Sequence, residues 1–197
     1  MMIKKGAKRL VALCTVILSI VSIQGCAVVA VGAAGVAAKV ATDRRTVGTQ
    51  LDDQTSEGKV AFNWSQNDAL KELTNLQVNV YNGVALLTGQ APSASLIEDA
   101  LRAAKKVDSI SKIHNQIRVG EPIAATTQAN DIWLASKVRA QLLADERIPA
   151  LQVKVVVEDS EVFLLGRVNN QEATSAVDIA RNITGVTRVV RAFQILQ

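Results

Sequence analysis

Two stretches of the chain alternate in the same way. Leu76, Val78 and Val80 place an apolar residue at every second position, and so do Val153, Val155 and Val157. That is the period of a strand with one buried face. Each run ends in a turn, at Asn82-Gly83 and at Asp159-Ser160. Asn-Gly is a strong signal for a two-residue hairpin. A second strand follows each turn and closes on a glycine, Gly89 or Gly166. A glycine ending a strand predicts a close backbone approach or a special dihedral, which makes Gly89 and Gly166 structural.

After the glycine the period changes. Ala94, Ile97, Leu101, Ala104 and Val107 recur at helical spacing, as do Ala173, Val177, Ala180 and Ile183. A third strand closes each unit: Ile113, Ile117 and Val119 in one, Val189, Phe193 and Ile195 in the other. Gly185, just before the second of these, is read as a turn or packing glycine. The repeat is the strongest structural signal in the sequence. A helix is also predicted ahead of each unit. One runs from Asp131 to Ala144 with Asn130 as its cap. The other, Asp52 to Leu73, is weaker: Gly58 interrupts it, and Phe62, Trp64 and Leu70 are its main apolar residues. Both units therefore read helix–strand–strand–helix–strand. The expected fold is α+β, two tandem domains, each with two helices packed on one face of a three-stranded mixed sheet. The connection through Pro122 is short, which favours contact between the domains.

The start of the chain has a different character. Lys4, Lys5, Lys8 and Arg9 precede an apolar run from Leu10 to Ile23. This is the order of a secretory signal. The run ends in Ile23-Gln24-Gly25-Cys26, which resembles a bacterial lipobox. That resemblance implies cleavage before Cys26 and a covalent acyl and diacylglyceryl lipid on its sulfur. Ala27 follows; in the lipoproteins this resembles, an Asp there favours inner-membrane retention, so the outer membrane, on its periplasmic face, is the expected location. The competing reading is an uncleaved membrane anchor over the uncharged stretch Leu10 to Ala38. Residues 1–25 are thus assigned to a signal peptide, 26–50 to the lipidated Cys and an Ala/Val/Gly linker, 51–120 to the first domain and 121–197 to the second. Arg44 and Arg45 fall in a polar break of the linker.

Charge and composition narrow the chemistry. The chain has 197 residues, with 22 Lys and Arg, 18 Asp and Glu, and a single His. Four of those cations lie in the export segment, and without them the chain is formally neutral. Its basic character is then a targeting feature and not a nucleic-acid footprint. Of the 2 cysteines, Cys14 is discarded with the signal and Cys26 carries lipid. No metal-ligand cluster and no nucleophile–base pair are spaced for work. His114 falls on the face of its strand opposite Ile113 and reads as a lone surface His. Asp52-Asp53 reads as a cap and Glu158-Asp159 as a turn. The expectation is no enzyme, no cofactor beyond the attached lipid, no metal, no nucleic acid and no small-molecule substrate.

One segment points to binding. In the helix after Asn130, Leu134, Ala135, Val138 and Leu142 share a face suited to the sheet. Ile132, Trp133, Ala140 and Leu143 fall on another, flanked by Lys137 and Arg139. An exposed apolar face with cations beside it suits a membrane surface, where Trp sits at the headgroup boundary. The alternative is that this face packs on the first domain or on a partner chain. The candidate phospholipid site is Ile132, Trp133, Lys137, Arg139 and Leu143.

The strand–turn–strand–Gly–helix–Gly-Val–strand pattern resembles the BON domain. A lipobox, an Ala/Val/Gly linker and two such units resemble the dual BON-domain outer-membrane lipoproteins of Gram-negative bacteria. Matching residues include Ala41-Thr42-Asp43, Val47-Gly48-Thr49-Gln50, Asp52-Asp53, Asn130-Asp131, Lys137-Val138-Arg139 with Gln141-Leu142-Leu143, and Gly185-Val186. Ser109 stands where that family usually has Gly, and Gly58 and Trp64 disturb the first helix. The resemblance implies a non-enzymatic protein that binds anionic phospholipid, supports envelope integrity and is found at division sites. It also implies links to outer-membrane protein assembly and to cell-wall splitting, so the alternative function is a periplasmic scaffold docking on that machinery.

Overall fold

The computed structural model describes residues 43–196. The export segment, Cys26 and most of the linker lie outside the described residues. Within Asp43–Gln197, one compact unit, the order is α1 (Val47–Ser65), α2 (Asp68–Leu73), β1 (Asn75–Tyr81), β2 (Val84–Ala91), α3 (Ala94–Ala104) and β3 (Lys112–Val119). The second copy follows: α4 (Ala125–Ala144), a 3-10 turn (Ala150–Gln152), β4 (Val153–Glu158), β5 (Glu161–Val168), α5 (Asn170–Arg181) and β6 (Arg188–Ile195). Each sheet has three strands, ordered β1-β2-β3 and β4-β5-β6. The first pair in each is antiparallel and the second parallel. The fold expected from the two periodicities is the fold observed.

Local chemistry sets the element ends. Thr46 caps α1, its hydroxyl accepting from Thr49 N at 3.0 Å. Asn67 caps α2, Ser93 caps α3, and Asn169 with Glu172 forms a full capping box on α5. The hairpin turns bend through left-handed residues: Asn82 and Gly83 at φ 50 and 74, Asp159 and Ser160 at φ 49 and 61. The second turn holds two non-glycine residues in a conformation that costs each about 1 kcal/mol.

Four expectations need correction. Asn130 is not a cap: α4 starts at Ala125, after Ala124, with no side-chain cap bond. The buried face begins only at Asp131, but the backbone ladder extends through the polar residues before it. Asp52-Asp53 is not a cap either, since α1 reaches back to Val47. Gly58 does not break α1, and Trp64 belongs to the core, 7% exposed, with Nε1 donating to Ala100 O at 3.0 Å. The break comes later, between Ser65 and Asp68, where Asn67 starts a new helix. Arg44 and Arg45 are not in a free linker; both are tied into the folded unit, as described below.

Helices cover one face of each sheet. Val60, Trp64 and Leu70 meet Val80, Ala85, Leu87 and Ile117 in the first core. Leu134, Val138 and Leu142 meet Val155, Val162 and Leu164 in the second. The opposite faces of the two sheets pack on each other through Tyr81 and Leu86 of the first and Val156, Phe163, Leu165 and Ala192 of the second. Polar bonds frame this contact. Glu158 accepts from Gln90 Nε2 at 2.7 Å and from Gln77 Nε2 at 3.3 Å. Arg118 pairs with Asp159 and Glu161, and Lys154 with Glu57 at 2.7 Å. The Asp43–Thr46 strap closes the seam. Arg44 forms a two-pronged bond to Glu172, at 2.9 Å on each oxygen. Arg45 pairs with Asp43 and Asp53 and lies 3.8 Å from the Tyr81 ring centroid.

Candidate functional site

The candidate site is built on α4. Its inner face is anchored by Leu134, Val138 and Leu142, all essentially without solvent contact. Asp131, also buried, holds the helix against the hairpin: its carboxylate accepts from Asp159 N at 2.7 Å and Ser160 N at 2.8 Å. With that face fixed, the helical period turns Ile132, Trp133 and Leu143 outward, at 70%, 56% and 63% exposure. The reading that this face packs on the first domain therefore does not hold, because the domains meet through their sheets. Lys137 sits with Nζ 4.3 Å from the Trp133 ring centroid, a cation–π contact. Arg139 lies on the other flank, where Nη2 donates to Val155 O at 2.8 Å. The structure thus gathers all five candidate residues on one outward surface, with Arg139 also engaged to the edge of β4.

The first domain has no equivalent surface. Asp53 makes the same clamp there, accepting from Asn82 N at 2.7 Å and Gly83 N at 2.9 Å. Aligning the two clamps sets Gln54 opposite Ile132, Thr55 opposite Trp133, Lys59 opposite Lys137, Ala61 opposite Arg139 and Ser65 opposite Leu143. Only the lysine is kept. The exposed apolar residues of α1, Val47, Leu51 and Phe62, occur at other positions and have no aromatic–cation pair.

The glycines read as structural meet different constraints. A Cβ on Gly89 would fall 1.8 Å from Asn75 O, and one on Gly166 would fall 2.4 Å from Gln152 O. In both copies a carbonyl at the start of the first strand, that of Asn75 or of Gln152, crosses directly over the glycine. Gly185 has room, since a Cβ there would lie 3.7 Å from Leu134 Cδ1, but its φ of +101 excludes most side chains.

Among the described residues the remaining titratable groups form no cluster that could hold a metal ion. His114 lies half-buried on the sheet face turned toward the second domain, and burial, with Lys112 nearby, lowers its pKa. Glu158, in the inter-sheet contact, has its pKa raised, first by burial. Arg44, bonded to Glu172, holds that carboxyl below the usual range. A groove of about 350 Å³ runs beside α1, lined by Gln50, Leu51 and Val80, but its charges are already paired, Arg45 with Asp53 and Lys154 with Glu57. Among the described residues no helix is long and apolar enough to cross a membrane.

Sequence reasoning missed the Asp53 and Asp131 clamps and the Arg44–Arg45 strap. The clamps had a signal. Each is an acid in the helix ahead of a two-residue turn, at nearly the same distance in both copies. The strap had none, because its partners Gln152, Arg167 and Glu172 lie far along the chain.

Comparison with known proteins bears on most of the chain. The BON domain family matches residues 52–121 and 130–197. The chain is 39% identical over 174 residues to the outer membrane lipoprotein DolP of Haemophilus influenzae, covering 88% of this chain and 90% of that protein. It is 39% identical to a 21 kDa hemolysin of Actinobacillus pleuropneumoniae, covering 79% and 80%. It is 30% identical to the osmotically-inducible protein Y of Escherichia coli, covering 77% and 76%.

Proposed function

The chain belongs to the BON-domain family, and from that membership we propose that it is a non-enzymatic lipoprotein of the outer membrane. In this reading lipid on Cys26 holds it at the periplasmic face. The second domain binds anionic phospholipid through Ile132, Trp133, Lys137, Arg139 and Leu143, and the protein supports envelope integrity at the division site. The likeness to an outer membrane lipoprotein supports the location.

The observation that carries the lipid reading is the exposure of Trp133, Ile132 and Leu143 together on a helix whose other face is fully committed to the core. Each is more than half exposed. Burying the remainder of a large side chain that is worth about 1.5–3 kcal/mol in full gives roughly 1 kcal/mol apiece. Lys137 and Arg139 near an anionic surface add about 1 kcal/mol each. The sum, about 5 kcal/mol, corresponds to weak and reversible binding. That is enough for a protein already tethered by acyl chains, which themselves select no headgroup.

The test uses residues 43–197, the compact unit, so that the acyl anchor does not mask the interaction. Vesicles of phosphatidylethanolamine with and without phosphatidylglycerol are titrated while tryptophan emission is followed. Trp64 is buried and bonded, so a blue shift reports Trp133. The expected result is a shift with the anionic vesicles that fades as salt rises. Trp133→Glu is expected to fold normally and to lose co-sedimentation. A folded Trp133→Glu form that still binds would place the site elsewhere. An emission unmoved by any vesicle would favour docking of this face on a protein.

A further inference from the structure

Two three-stranded sheets leave four edge strands, β1, β3, β4 and β6. An edge offers unpaired backbone N–H and C=O groups, and proteins block such edges against unwanted pairing. Three of these are stoppered by a side chain. Glu57 Oε1 accepts from Val80 N on β1 at 2.7 Å. Arg139 Nη2 donates to Val155 O on β4 at 2.8 Å. Asn115 Oδ1 accepts from Ile117 N within β3 at 3.1 Å. The fourth edge differs: among the described residues no side chain bonds to the backbone of β6.

The repeat explains the difference and fixes which groups are free. In β3, Ile117 N bonds the Asn115 side chain and so points away from β2, while Gly120 N donates back to Ala91 O. In β6 the counterpart Leu196 N donates back to Val168 O. Val189, Arg191, Phe193 and Ile195 therefore turn their N–H and C=O groups outward. Arg191 stands at the position of the stopper Asn115 and cannot accept a bond from a backbone N–H. β6 also carries Arg188 and Arg191 and no acid. Arg188 is bonded to Glu161 and Gln116, whereas Arg191 is exposed and, among the described residues, pairs with no carboxylate.

We propose that the open edge of β6 is a docking site for an extended acidic peptide segment, which adds as a fourth strand to the second sheet. The backbone groups of Val189, Arg191, Phe193 and Ile195 supply the ladder bonds, as in other strand additions. Arg191 selects an acidic side chain across the new pair. This site is separate from the outward face of α4, so the protein can hold a partner and a lipid surface at once.

The test is a titration of isotopically labelled 43–197 with short blocked peptides that alternate Val with Glu or Val with Lys, followed by amide shifts and hydrogen exchange. The Glu peptide is expected to protect the amides of Val189, Arg191, Phe193 and Ile195. It is expected to bind about fivefold tighter than the Lys peptide, the scale of one or two cross-strand charge pairs. Arg191→Pro removes an outward N–H while leaving the ladder to β5 intact, so it should abolish binding without loss of fold. Arg191→Glu keeps the N–H and should reverse the peptide preference, which keeps the test decisive if the proline form unfolds. Equal binding of both peptides, protection on another edge or on α4, or no binding would each overturn the proposal.

Discussion

Asp131→Ala is expected to be among the most damaging single changes in the second domain, though Asp131 touches no ligand surface. Its carboxylate is buried and is the acceptor for the amides of Asp159 and Ser160. Removing it strands two partly buried donors, at up to about 1–3 kcal/mol each. It also releases a turn whose two residues sit at positive φ without glycine. The combined cost is about 3–5 kcal/mol, a large part of a domain's stability. Asp131→Asn should cost less, about 1–2 kcal/mol, because one amide oxygen still serves one N–H while the NH₂ group faces the other. Ser160→Gly removes part of the strain and should raise the stability of the parent by about 0.5–1 kcal/mol. The assay is denaturant unfolding of residues 43–197, with exchange rates of the Asp159 and Ser160 amides measured in parallel. If Asp131→Ala costs under about 1 kcal/mol with an unchanged denaturant slope, the clamp does not hold the turn and the argument fails.

Three further outcomes are expected. Gly89→Ala should be more destabilising than Gly166→Ala, since the new methyl would meet a carbonyl at 1.8 Å in one and 2.4 Å in the other, and Gly166→Glu should lower the melting temperature; a permissive Gly166→Glu would show an open site. Glu158 has a raised pKa in the folded state, so its contribution is best in acid and is lost as pH rises through that value. Glu158→Gln should therefore stabilise the protein near neutral pH and lose that advantage as pH falls below the ordinary carboxylate range, which unfolding across a pH series will show. Glu172 is the opposite case: Arg44 depresses its pKa, so its stabilisation holds above the unfolded value and disappears as pH falls through the folded one, and Arg44→Ala should flatten that acid limb.

What the sequence made legible follows from the range of the physics. Alternation at Leu76–Val80 and Val153–Val157 and the Asn82-Gly83 turn are local, so both sheets could be read directly, although the strands run two residues past Gly89 and Gly166, to Ala91 and Val168. The outward face of α4 was also legible, because a helix that is apolar on two sides can bury only one against a single sheet. The partners of Glu158, Arg118 and Arg44 were not, because each lies in the other domain and no local period records them. Asn130 misled for a related reason: a good capping residue stops being a cap when the helix continues upstream of it.

The contact between the sheets is chemically lopsided. Gln77, Thr88 and Gln90 accompany Tyr81 and Leu86 on the first sheet's side, while the second sheet presents Val156, Phe163, Leu165 and Ala192 beside the buried carboxylate of Glu158. A chain that crosses the membrane N-terminus first delivers the first domain earlier, and domains generally fold as units in the order in which they emerge. The half that must wait in water is thus the one whose waiting face is partly polar. The half with more apolar area on that face arrives when its cover already exists. Duplicate halves that look interchangeable along the chain are ordered in time, and exchanging their positions would leave Phe163 and Leu165 uncovered until the other half had emerged.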